Sequence, residues 1–137
     1  MVELPRSPHA VVTGGARGIG REIASRLAQA GAIVTVLGRD SAALDETVSK
    51  GAAHFSAVAD VTDQAAVDAA IARVASRQPI DILIANAGTA ESAAFARSDA
   101  ALFKRMMDVN FMGVVHSVQA VLPSMRKSIS RKVHCSN

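Results

Sequence analysis

Thr13-Gly14-Gly15-Ala16-Arg17-Gly18-Ile19-Gly20 reads as a phosphate-binding turn between a strand and a helix. The apolar run Ala10-Val11-Val12 leads into it and an amphipathic segment leads out. The chain therefore reverses and presents a helix N-terminus at the edge of a sheet. Gly14, Gly18 and Gly20 meet three needs: a tight turn, backbone that a ligand can approach with no Cβ in the way, and a helix packed closely on its strand. Unsatisfied N–H groups and the positive end of the helix dipole, roughly half an elementary charge, suit that point to a pyrophosphate.

Outward from the turn, Ile19, Ile23 and Leu27 recur every four residues beside Ala24 and Ala28, which predicts a helix with one buried stripe. Gly31 stands where a helix-ending glycine belongs, and Ile33-Val34-Thr35-Val36-Leu37 is apolar enough for a strand covered on both faces. Asp40 or Ser41 caps a second helix carrying Leu44 and Val48, and residues 55–59 make a third strand ending at Asp60. Thr62 or Asp63 caps a third helix with Val67, Ala70, Ile71 and Val74 on one side, and residues 80–85 form a fourth strand. From Ser98 or Asp99 a longer helix runs through Leu102, Met106, Val109, Gly113 and Val121 to about Pro123, and Val133 is read as the start of a fifth strand. This alternation predicts one incomplete α/β domain over residues 1–137. Its expected form is a Rossmann-type doubly wound parallel sheet in three α/β/α layers, truncated after about the fifth strand, with residues 126–137 as an atypical tail.

Half of the residues are apolar, so a chain of this length can bury a core. The net charge of +3 is local: Arg126, Lys127, Arg131 and Lys132 lie within one short stretch, and the remainder is slightly acidic. With no Trp, no Tyr and few Phe there is little on which nucleic-acid bases would stack, and nucleic acid is not an expected partner. The lone Cys135 excludes an intramolecular disulfide framework, and no apolar run has the length of a membrane span. The expectation is a cytoplasmic protein that binds neither membrane nor metal. His9, His54, His116 and His134 are scattered along the chain, and His134 and Cys135 are adjacent strand residues that would point to opposite faces.

A triphosphate-binding P-loop is the nearest rival for the glycine turn. It needs Lys and then Ser or Thr after the last glycine, where this chain has Arg21 and Glu22. A dinucleotide site instead expects a selectivity residue about 20 positions on, at the end of the second strand, where Gly38 and Arg39 stand. An acidic residue there would receive the ribose 2′-hydroxyl of NAD, whereas Arg clamps the 2′-phosphate of NADP. Arg17 adds a second cation, so NADP(H) is the expected cofactor. Asp40, beside Arg39, keeps NAD(H) as the alternative.

The chain resembles the short-chain dehydrogenase/reductase family from about residue 9 to 125. The resemblance rests on Thr13-Gly14-x-x-x-Gly18-x-Gly20, on Asp60-Val61 after the third strand, on Asn86-Ala87-Gly88, and on Asn110 in Asp108-Val109-Asn110. Ala85 stands where a second Asn is common. The resemblance implies that Gly14, Arg17, Gly18, Ile19, Gly20 and Arg39 bind the dinucleotide phosphates and that Asp60 and Val61 contact adenine. It also implies that Asn86, Ala87 and Gly88 line the nicotinamide side and that Asn110 belongs to a proton relay. Taken singly, Asp60, Asn86 and Asn110 also have ordinary uses as a cap, a turn residue and a surface polar group.

The family's chemistry is hydride transfer between nicotinamide and a carbonyl or secondary alcohol carbon, with Tyr as acid–base group and a nearby Lys lowering its pKa. This sequence contains no tyrosine, and Ser136 is the one, weak, candidate for the family's substrate-holding Ser. Two readings follow. One is an NADP(H)-dependent oxidoreductase of small carbonyls or alcohols, acting as a homo-oligomer; the other is a catalytically inactive dinucleotide-binding or interaction remnant without the Tyr-x-x-x-Lys pair.

Overall fold

The computed structural model describes residues 6–134. Strands β1 (His9–Thr13), β2 (Ile33–Gly38), β3 (Phe55–Val58) and β4 (Ile82–Ala85) form one parallel sheet in the order β3-β2-β1-β4. Helices α1 (Gly18–Gln29), α2 (Ser41–Ser49) and α3 (Gln64–Arg77) connect them, and α4 (Ala100–Met107) and α5 (Gly113–His134) follow. This is the doubly wound α/β arrangement that the alternating pattern predicts, because parallel neighbours need a crossover and the crossover helices cover both faces.

The strands feed two cores, since successive side chains point to opposite faces. Val12, Val34 and Val36 pack with Ala24 of α1 and Leu44 of α2. Val11 and Leu37 pack on the other face with Val67, Ile71 and Val74 of α3 and with Val121 of α5. Asp40, Asp63 and Asp99 cap α2, α3 and α4 by accepting from the N–H groups of Ala43, Ala66 and Leu102. Where the sequence left pairs of caps open, the aspartate takes the position each time.

Three expectations are corrected. Val133 does not open a fifth strand: α5 continues through it to His134, and the described residues hold four strands with the outer edge of β4 unpaired. Arg131-Lys132-Val133-His134 is too polar for a strand covered on both faces, and the helix keeps its backbone groups paired without a sheet neighbour. Nor does the helix end at Pro123, which lies inside α5. Proline there removes one helical N–H donor, while Ser124 beside it accepts from the Ile80 N–H at 2.9 Å and ties that turn to the start of β4. Finally, Ile23 and Leu27 pack on the core but Ile19 is 75% exposed. Ser136 and Cys135 lie outside the described residues.

His9 anchors the edge of the sheet opposite the strand ends that carry the motifs. Its Nδ1 donates to the Gln78 carbonyl oxygen at 3.0 Å, so Nε2 accepts from the Thr35 hydroxyl at 2.8 Å. Burial pushes the imidazole below its ordinary value of 6.5, against the raising pull of the Gln78 carbonyl and the Asp81 carboxylate. The folded state thus favours neutral His9, and its contribution is fully present above the unfolded value of 6.5 and is lost as the pH falls below it. Thermal melts should show a falling midpoint on acidification from about pH 7.5 to 5.5, with a shallower slope in His9→Gln. Asp60 and Glu46, both lowered from carboxylate values of 3.8 and 4.5, act in a more acidic window and do not mask the effect.

Candidate functional site

The register aligns the C-terminal ends of the strands. Thr13 pairs with Leu37 and Ala85, and Gly38 with Val58. The loops that leave these ends carry the glycine turn, Arg39-Asp40, Asp60-Val61 and Asn86-Ala87-Gly88. Because β4 joins β1 on the side away from β2, the strand order reverses at β1, and a crevice forms at such a point in open α/β sheets.

A cleft of about 510 Å³ lies there. Gly14, Ala16 and Arg17 line it from the first loop, Gly38, Arg39 and Asp40 from the second, and Ala59, Asp60 and Val61 from the third. Ala87, Gly88 and Thr89 line it from the fourth, with Val109 beyond. A larger hollow of about 660 Å³ between α3 and α5 includes Pro79, before the start of β4, and so lies toward the opposite edge of the sheet. None of the sequence motifs reaches that hollow, so the smaller cleft is the candidate site.

Sterics explain the glycines. Gly14 adopts φ +65°, and a Cβ on it would stand 2.8 Å from the Ala87 Cα, so both the turn and the close approach of the two loops require glycine. A Cβ on Gly20 would run into the Gly14 carbonyl oxygen and the Asn86 side chain. Helix α1 can therefore sit hard against the turn.

The N-terminus of α1 differs from those of α2, α3 and α4. Arg17 occupies its N-cap position with no side-chain cap hydrogen bond, whereas α2, α3 and α4 are each capped by aspartate. The first-turn N–H groups of Gly18, Ile19 and Gly20 have no partner within the helix and sit beside the positive dipole end, which suits an anion. Arg17 pairs with Asp40 across the loops at 74% and 47% side-chain exposure.

Polar contacts then brace the cleft. The Thr13 hydroxyl accepts from the Asn86 and Ala87 N–H groups, both at 3.1 Å, and the Asn86 amide donates to the Gly14 carbonyl oxygen at 3.2 Å. Asn86 thus ties β4 to the glycine turn and does not itself line the cleft. Asn110 sits in a π-helical segment, Asp108–Met112, between α4 and α5. Its Oδ1 accepts from the Thr89 N–H and its amide donates to the Thr89 carbonyl oxygen, each at 2.8 Å. Gly88 leaves room for this, since a Cβ there would stand 3.2 Å from Asn110 Oδ1.

At Asp60, partial burial pushes the carboxyl up. Hydrogen bonds from the Thr62 N–H at 2.9 Å and hydroxyl at 2.8 Å, with the Arg39 charge, outweigh it and leave the group below its usual value. Thr13, Thr89 and Val109 belong to the site without having been site candidates, although Thr13 opens the turn motif and Val109 lies on the expected long helix. Thr89 directly follows the Asn86-Ala87-Gly88 motif, a signal that was there to be used. Among the described residues no group of His, Cys, Asp and Glu has a metal-binding arrangement, and no helix is long and apolar enough to cross a membrane.

Fold and site together define a doubly wound α/β protein with a crevice at its strand switch point, beside a helix N-terminus that suits an anion. Comparison with known sequences gives the family: residues 8–133 match the short chain dehydrogenase family, and the chain belongs to it. It is 37% identical over 131 residues to an uncharacterized oxidoreductase of Staphylococcus saprophyticus, covering 91% of this chain and 56% of the relative. It is 35% identical over 127 residues to a rhamnolipids-biosynthesis 3-oxoacyl-(acyl-carrier-protein) reductase of Pseudomonas aeruginosa, covering 88% of this chain and 49% of that one. The chain spans about half the length of these relatives. Among solved structures, an actinorhodin polyketide ketoreductase with NADPH superposes with a TM-score of 0.81 at 33% identity, covering 87% of this chain and 48% of its own. A 3-ketoacyl-(acyl-carrier-protein) reductase from Brucella melitensis complexed with NADH gives 0.86 at 28% identity, covering 93% and 53%.

Proposed function

We propose that this chain is the cofactor-binding part of an NADP(H)-dependent oxidoreductase that reduces a carbonyl or oxidises a secondary alcohol. The observation that carries the reading is the single cleft that gathers Gly14, Arg17, Arg39, Asp60, Val61, Ala87 and Gly88 from four separate loops. Relatives solved with NADPH and NADH support a nicotinamide dinucleotide in it.

When bound, the nicotinamide supplies or accepts the hydride; this chain's residues do the holding. The first turn of α1, with Gly18, Ile19 and Gly20, binds the pyrophosphate through N–H groups, and exposed Ile19 covers the ligand's apolar side. Arg39 and Arg17 take the 2′-phosphate. Asp60, ionised and held through Oδ1 by Thr62, presents Oδ2 to the adenine amine, and Val61 beside it forms part of the wall at that end of the cleft. Asn86 keeps the Ala87-Gly88 backbone beside the glycine turn, and Asn110 fixes the Thr89 backbone next to the nicotinamide side.

A second reading rests on one observation, the absence of any tyrosine from the sequence. By it the polypeptide binds the dinucleotide and does not turn over, because no side chain here has the phenol that performs the family's proton transfer. Calorimetric titration with NADPH and NADH, followed by a carbonyl-reduction assay, tests both readings. The expected result is binding with preference for NADPH and no turnover by this chain alone. Turnover would overturn the argument from the missing tyrosine, and absence of binding would overturn the cofactor role.

A further inference from the structure

The β3–α3 loop at Asp60-Val61 is held from a side that neither the motifs nor the cleft account for. His116, on the second turn of α5, is 9% exposed, and its Nδ1 lies 2.7 Å from the Val61 carbonyl oxygen in a buried contact. A carbonyl oxygen only accepts, so Nδ1 carries the proton and donates. One turn earlier on the same face, a Cβ on Gly113 would stand 2.7 Å from Val61 Cγ2, so the helix meets the Val61 side chain as closely as backbone allows. Val61 is 6% exposed and is gripped at both its side chain and its carbonyl by α5.

The π-helical segment Asp108–Met112 precedes Gly113 immediately. Its wider turn resets the phase of the helix, so that Asn110 reaches Thr89 while Gly113 and His116 reach Val61. One continuous helical run thereby touches the loops at both ends of the cleft.

We infer that His116 is a positioning residue for the adenine end of the cofactor site, holding the Val61 carbonyl so that Asp60 and Val61 keep the geometry that receives the base. The inference rests on the dinucleotide reading above. His116 touches no ligand itself and acts through the loop. Losing its hydrogen bond leaves a buried carbonyl without a donor and frees the loop to shift, which weakens ligands that contact the loop and spares those that do not.

The test divides the cofactor. NADPH, AMP and reduced nicotinamide mononucleotide are titrated into the unsubstituted chain, His116→Leu and His116→Gln. In the leucine variant the affinities for NADPH and AMP should fall about tenfold, the equivalent of one buried hydrogen bond, with the mononucleotide unchanged. The glutamine variant, whose amide can donate to the same carbonyl, should recover most of the loss. Equal losses for all three ligands would show general damage and overturn the inference, as would no loss for AMP. NMR of the unsubstituted chain, which needs no substitution to fold, should show His116 protonated at Nδ1 and shifted by AMP; a proton at Nε2 alone would overturn the inference. If the unsubstituted chain binds neither NADPH nor NADH, the cofactor reading itself falls and this inference with it.

Discussion

Gly20→Ala is expected to lower the unfolding midpoint by roughly 5 °C and to weaken NADPH binding by at least about tenfold, although alanine is the better helix former. The two effects have opposite signs. Replacing a helical glycine by alanine stabilises by about 1 kcal/mol through propensity and unfolded-state entropy. The new methyl group, however, would overlap the Gly14 carbonyl oxygen and the Asn86 amide. The first obstacle is backbone of the turn itself, and the second is a side chain already bonded to that turn, so neither moves without pulling the turn from β4. Overpacking of this kind costs about 1–3 kcal/mol or more when the neighbour cannot yield, which exceeds the propensity gain. Gly18→Ala is the control. A Cβ there meets nothing within 4 Å, and the cost is confined to its φ of +54°, about 1–2 kcal/mol. Differential scanning calorimetry with NADPH titration of both variants checks the comparison; a Gly20→Ala protein as stable as the parent would show that α1 does not press on the turn.

Arg39→Ala combined with Arg17→Ala is expected to raise the NADPH dissociation constant by about two orders of magnitude while changing that of NADH little. On the proposed reading each arginine would give a charge-assisted hydrogen bond to the 2′-phosphate, and such bonds contribute about 1.5–3 kcal/mol apiece. The structure adds a competitor, because Arg17 already pairs with Asp40. That pair is exposed enough for solvent to screen it, and surface pairs contribute about 0–1 kcal/mol, so a phosphate can draw Arg17 away at small cost. Asp40→Ala should therefore tighten NADPH slightly, by less than about fivefold, and should loosen the start of α2, where Asp40 also accepts from the Ala43 N–H. Equal losses of NADH and NADPH in the arginine double variant would mean that neither arginine reads the 2′-phosphate, and would favour Asp40 as a reader of the ribose hydroxyl.

Much of this was legible because periodicity and motif position reinforce each other locally. Val34 and Val36 alternate with Thr35 and Leu37 between two glycine-ended helices, and this pattern allows one reading: a strand covered on both faces. The caps were legible to within one residue for the same reason, since a cap is a contact three residues long, and the fold then took the aspartate of each pair. Misreadings came where a residue's fate is set at a distance. Ile19 fits the apolar stripe of α1 by spacing, yet its turn of helix projects past the core beside the cleft and leaves it exposed. Val133 looks like a strand start after a proline, yet no sheet neighbour claims it and the helix runs on.

The linear order of residues was by itself sufficient to determine the alternating elements, the glycine turn that ends β1, and the presence of Arg39, Asp60, Asn86 and Asn110 at loop or helix positions, because these depend on contacts within a few residues. It also determined that no tyrosine is present. Tertiary structure alone decided which loops share one cleft, that Arg17 turns to Asp40, that Asn110 binds the backbone of Thr89, and that Gly113 and His116 grip Val61. Those contacts join positions 21 to 55 residues apart. They exist because parallel strand pairing brings distant chain ends to one edge of a sheet, which no local pattern records.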